Sequence, residues 1–70
     1  MKITNHATER FLQRVKKRYN YTKSEFLKTK KELQNLFKDI ITNRTKIVVP
    51  GFNKFLAVVK NQTVITILEK

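Results

Sequence analysis

The sequence predicts an α+β fold: two N-terminal helices packed on a three- to four-stranded antiparallel sheet, in the order β-α-α-β-β-β. Three observations carry this. The first 49 residues hold neither Gly nor Pro, which permits long helices. Thr22 and Glu25 have the spacing of a capping box, the mark of a helix start. From Lys46 the vocabulary turns to β-branched residues, punctuated once by Pro50-Gly51. Helices followed by a run of short strands give a helix layer on one face of a small sheet. The 70 residues read as a single domain, 1–70.

Taken in order, Met1 to Thr4 is a weak strand for a sheet edge. From about His6 to Tyr19 the apolar residues Ala7, Phe11, Val15 and Tyr19 recur at i+4, and Leu12 widens the stripe. Thr4 or Asn5 stands where a cap is needed. The second helix opens at the Thr22/Glu25 box, with Tyr21 and Phe26 placed as a hydrophobic staple. Phe26, Leu33, Phe37 and Ile40 form its apolar face, flanked by Leu27, Leu36 and Ile41, and its end is expected near Thr42-Asn43. Lys46 to Val49, Phe55 to Lys60 and Thr63 to Leu68 are strands, the last two joined at Asn61-Gln62.

Pairing across that turn puts Leu56, Val58, Ile65 and Ile67 on one face of the sheet. Phe55, Ala57, Val59, Val64, Thr66 and Leu68 fall on the other. Gln62 suits positive φ poorly, so a bulge that slips this register by one is an open alternative. In either register both faces are apolar and two helices cover one. A partner, a substrate, or the 50–54 loop with the chain ends is expected on the other.

Composition excludes several classes of function. There is no Cys, hence no disulfide and no Cys-based zinc site, and the single His6 forms no His pair. No metal or other cofactor is expected. No apolar run reaches the ~18 residues of a membrane span, and Met1-Lys2-Ile3 leads into polar residues without a signal-peptide core, so a soluble cytoplasmic protein is expected. No Gly-rich phosphate loop, carboxylate pair or nucleophile–base spacing is present.

Charge is the strongest statement. Sixteen Lys or Arg against five Asp or Glu give +11. Residues 1–35 contribute +7 (ten cations less three carboxylates) and residues 36–70 contribute +4 (six less two), so both halves are basic. Such a balance favours a polyanionic partner, nucleic acid ahead of acidic protein or membrane surfaces. Arg grips phosphate as a planar fork, and Arg10, Arg14 and Arg18 repeat every fourth residue behind His6. A phosphate at that helix start would meet an imidazole, backbone N–H groups and a guanidinium together. Lys17 and Lys54 extend the basic surface. Among Tyr19, Tyr21, Phe52 and Phe55, Phe52 in the Pro50-Gly51-Phe52-Asn53 loop is the expected exposed ring for stacking on a base.

Ile3-Thr4-Asn5-His6-Ala7-Thr8-Glu9-Arg10-Phe11-Leu12-Gln13-Arg14 resembles the opening of small prokaryotic and phage proteins of the RelE/barnase-like group, in which His-Ala begins a helix and Arg follows four residues after the His. The stretch Val58 to Leu68 resembles their closing hairpin, whose last strand carries a hydroxyl residue, and the element order is also theirs. The resemblance implies a toxin of a toxin–antitoxin pair, an mRNA interferase-like endoribonuclease that works without metal by attack of a ribose 2′-OH on the adjacent phosphate. It implies His6 as acid/base, Arg10 stabilising the phosphate, and Thr66 bonding the phosphate or orienting His6. Ile67-Leu68-Glu69-Lys70 departs from the group, many of whose active members carry Tyr, His or Arg on or after the last strand. Glu9 is then a candidate for the second proton-transfer role.

The expected function is therefore a small basic RNA-binding protein or such an endoribonuclease. The alternative is a non-catalytic nucleic-acid-binding factor, or a factor that binds an acidic antitoxin or a host protein, with a homodimer as another way to complete so small a core.

Overall fold

The computed structural model describes residues 1–70. Its elements are β1 (Lys2–Ile3), α1 (Asn5–Arg14), α2 (Lys23–Phe37), β2 (Lys46–Val49), β3 (Phe52–Lys60) and β4 (Thr63–Glu69). The four strands form one sheet in the order β1-β4-β3-β2, with the two helices on one face, as an α+β fold requires. The sheet is mixed rather than antiparallel, because β1 runs parallel to β4. Strands joined by hairpins must alternate in direction. Lys2–Ile3 reaches β4 across the rest of the chain, which imposes no direction on it. No helix is long and apolar enough to cross a membrane.

Local sequence explains how each helix begins. Thr4 caps α1, its Oγ1 accepting from Ala7 N at 3.0 Å. At α2 the capping box is complete: Glu25 N donates to Thr22 Oγ1 at 3.1 Å and Thr22 N to Glu25 Oε1 at 3.5 Å. Tyr21 and Phe26 stack beside it with ring centroids 6.0 Å apart, as the staple predicts.

Both helices end earlier than the apolar spacing predicts. In α1 the last turn widens, with Lys16 N donating to Phe11 O and Arg18 N to Leu12 O. Lys17 then takes a left-handed conformation (φ 56°), and Tyr19 stands 71% exposed beyond the helix. The turn that brings α2 back beside α1 is fastened by the ion pairs Lys16–Glu32 and Arg18–Glu25. α2 ends at Phe37 instead of near Thr42, and Asp39 follows it where the negative end of the helix dipole disfavours a carboxylate. A turn closed by Ile40 N to Phe37 O leaves Ile40 against the core and Ile41 in solvent.

The core is Ile3, Ala7, Phe11, Leu33, Phe37, Val49, Ala57, Val59, Val64 and Ile67. In the hairpin, Asn61 and Gln62 both have positive φ (51° and 56°), the geometry of a tight two-residue turn. Val59 pairs with Val64 but Val58 pairs with Thr66, so Ile65 is an extra residue in β4. This bulge corrects the face assignment. Ile67 joins Ala57, Val59 and Val64 on the helix side, while Thr66 and Leu68 lie with Leu56 and Val58 on the outer side. Phe52, expected in an exposed loop, opens β3 and meets Phe11 edge-on at 5.3 Å, packed against the core.

Candidate nucleic-acid interface

Of the sixteen cationic side chains, Lys16 and Arg18 are held in ion pairs, which leaves fourteen (16 − 2) without a carboxylate partner. Their distribution follows from the elements that carry them. On α1, residues 7, 8, 11 and 12 are buried, so His6 and Arg10 fall on a flank turned to solvent. Arg10 Nε donates to His6 Nε2 at 3.4 Å, a long bond, and Arg10 NH1 donates to Gln13 Oε1 at 2.9 Å. Gln13 Nε2 in turn donates to Glu9 Oε1 at 3.3 Å. His6, Arg10, Gln13 and Glu9 thus form one hydrogen-bonded chain at the helix surface. Glu9, the candidate for a second proton-transfer role, is linked to His6 only through Gln13 and Arg10.

The arginine ridge expected behind His6 is not a continuous anion surface. Arg14 is half-buried and donates to Ile67 O at 2.8 Å, closing the free edge of β4. Arg18 lies past the end of α1 and pairs with Glu25 Oε2 at 2.8 Å. Lys17 is exposed at the left-handed turn, and Lys54 is exposed on β3. Thr66 points from the outer face of the sheet, and no hydrogen bond joins it to His6 or Arg10. His6 and Arg10 are therefore together. Thr66 and Phe52 belong to opposite sides of the sheet.

The strand register builds a second basic surface. On the outer face, side chains line up in rows across the strands: Val48–Leu56–Leu68, then Lys46–Val58–Thr66, then Lys60–Thr63–Lys2. The apolar row lies between Lys54, near the start of β3, and the lysines that collect toward the β3–β4 turn. β1 ties the start of α1 to that end, since Lys2 N donates to Gln62 O at 3.0 Å. No aromatic residue occurs in these rows, so the outer face offers no ring for base stacking.

Arg44 escaped the sequence reading. It sits on the connection between α2 and β2, and it is the one arginine whose guanidinium has no partner in the protein. It stands apart from the other three arginines, which repeat along the chain at i+4, so no spacing marks it. The polar run Thr42-Asn43-Arg44-Thr45, between a helix and a strand, was the available signal. No family model matches the chain, and no curated protein or solved structure matches it.

Proposed function

We propose that this chain is a small, basic RNA-binding protein that engages the phosphate backbone without cleaving it. The observation that carries the reading is the fourteen cations left without a carboxylate partner, spread over both helices and the sheet. Long-range attraction and counterion release then supply the affinity. The choice of RNA rests on the resemblance of the Ile3 to Arg14 and Val58 to Leu68 segments to the RelE/barnase-like group. The preference for binding over cleavage rests on geometry. Attack by a ribose 2′-OH needs a proton acceptor and a proton donor on opposite sides of one phosphate. The single imidazole faces Arg10, and Thr66 stands on the outer face of the sheet.

Anisotropy of a labelled single-stranded RNA, titrated at several salt concentrations, tests this. Engagement of four to six phosphates gives a log–log slope of roughly −3 to −5. Absence of binding at ~50 mM salt ends the proposal.

One observation favours a second reading, an endoribonuclease: His6 and Arg10 are in contact at an exposed helix start. RNA incubated in EDTA with the wild type and with His6→Ala decides it. Cleavage by the first and none by the second establishes the catalytic reading, and intact RNA with both excludes it.

A further inference from the structure

The largest cavity, about 430 Å³, opens between residues 42–45 of the α2–β2 connection and residues 59–62 of the β3–β4 hairpin. We infer that it is a nucleotide-binding subsite, in which Arg44 and Lys60 hold a phosphate and the surrounding amides and hydroxyls hold the nucleoside. The inference rests on the RNA-binding reading and gives that reading a location.

Three features point to this ligand. First, the charge is available. Arg44 is the arginine without an internal partner, Lys60 makes no ion pair, and no carboxylate lines the cavity. A free planar fork can take a phosphate in bidentate fashion, and an ammonium lining the same cavity adds a second positive charge. Second, the size and lining exceed what a bare phosphate needs. The volume falls in the ~300–1,000 Å³ range of small-molecule sites. Asn43 and Asn61 present amides with no hydrogen bond inside the protein, and only Val59 is apolar. Free amides at a rim supply donors and acceptors for the edge of a base.

Third, the walls are fixed in advance. Gln62 Nε2 donates to Thr42 O at 3.0 Å and Val59 N to Thr45 O at 2.8 Å, which latch the connection to the hairpin. Arg44 N donates to Thr42 Oγ1 at 3.0 Å, which sets the turn that presents its side chain. The backbone of the site is thus held before a ligand enters, and ordering is confined to the free side chains of Arg44, Lys60, Asn43 and Asn61. The other cavity, about 220 Å³ between α1 and α2, makes the contrast: two carboxylates line it and pair with two of its three cations, leaving only Lys28 free. From the first cavity, Lys60 continues across the sheet to Lys2, a path for a chain of phosphates leading toward the start of α1.

The test uses the full chain with two ligands. In the first arm, uridine 5′-monophosphate is titrated while backbone amide resonances are followed. The expected shifts cluster at residues 42–45 and 60–62 and vanish in Arg44→Gln. Shifts absent from these residues, or reproduced in full by inorganic phosphate, overturn the nucleotide assignment. In the second arm, single-stranded RNA is bound by three variants. Arg44→Gln weakens binding about tenfold. Arg44→Lys, which keeps the charge but loses the fork, weakens it about threefold. Lys31→Gln, an exposed α2 residue of equal charge, weakens it about twofold. Equal losses for Arg44→Gln and Lys31→Gln overturn the subsite and leave the RNA-binding reading intact. Failure of the wild type to bind RNA removes that reading, and the first arm then decides the cavity by itself.

Discussion

Replacing Arg14 by Gln removes the donor that reaches Ile67 O at 2.8 Å and leaves a half-buried carbonyl without its partner. A loss of about 1–2 kcal/mol follows, read from urea unfolding. RNA affinity should change only about twofold, as for any single charge. The opposite pattern is expected at Arg44, where affinity falls and stability holds. The two variants together separate clasp from ligand contact. At Lys17, φ of 56° places a side chain in the left-handed region, which glycine occupies without strain. Lys17→Gly should stabilise the fold by roughly 0.5–1 kcal/mol, and a lower unfolding midpoint would refute the strain. Sequence spacing located the arginines correctly but not their tasks. Arg14 and Arg18 are taken by Ile67 O and Glu25, partners 53 and 7 residues away, and i+4 counting sees neither.

Among the elements, the start of α2 was the most legible, because the capping box and staple lie within a few residues of one another. Thr22→Ala should cost about 1 kcal/mol, measured by thermal unfolding. The sheet was legible as strands but not in its faces. One extra residue at Ile65 reverses every later side chain of β4, and no local signal in Val64-Ile65-Thr66 announces it. A pair of truncations tests that register. Ile67→Ala, in the core, should cost about 2–5 kcal/mol, and Leu68→Ala, on the outer face, markedly less. Reversal of that order would place the bulge elsewhere. The direction of β1 was likewise hidden, since Lys2–Ile3 is too short to carry a pattern and its pairing with Thr63 and Val64 is wholly tertiary. The cavity beside Arg44 needed the same knowledge: it forms only when residues 42–45 meet the distant 59–62 turn.

At the scale of the whole molecule, +11 on 70 residues is a charge that repels itself. Only two ion pairs offset it. Stability should therefore rise as sodium chloride goes from ~10 to ~200 mM and the repulsion is screened, with the urea midpoint as the readout. A midpoint that does not move would mean that the cations are too far apart to matter to the fold. The same salt weakens RNA binding, so folding and binding respond to it in opposite directions. The sheet has a further consequence at this scale. Thr4 and Arg14 already occupy the carbonyls of Ile65 and Ile67 along the β4 edge, while no strand lies beyond β2. No side chain is seated on the carbonyls of β2, so strand-to-strand joining of copies is expected there first. A pair formed back to back through β2 is the joining this edge favours.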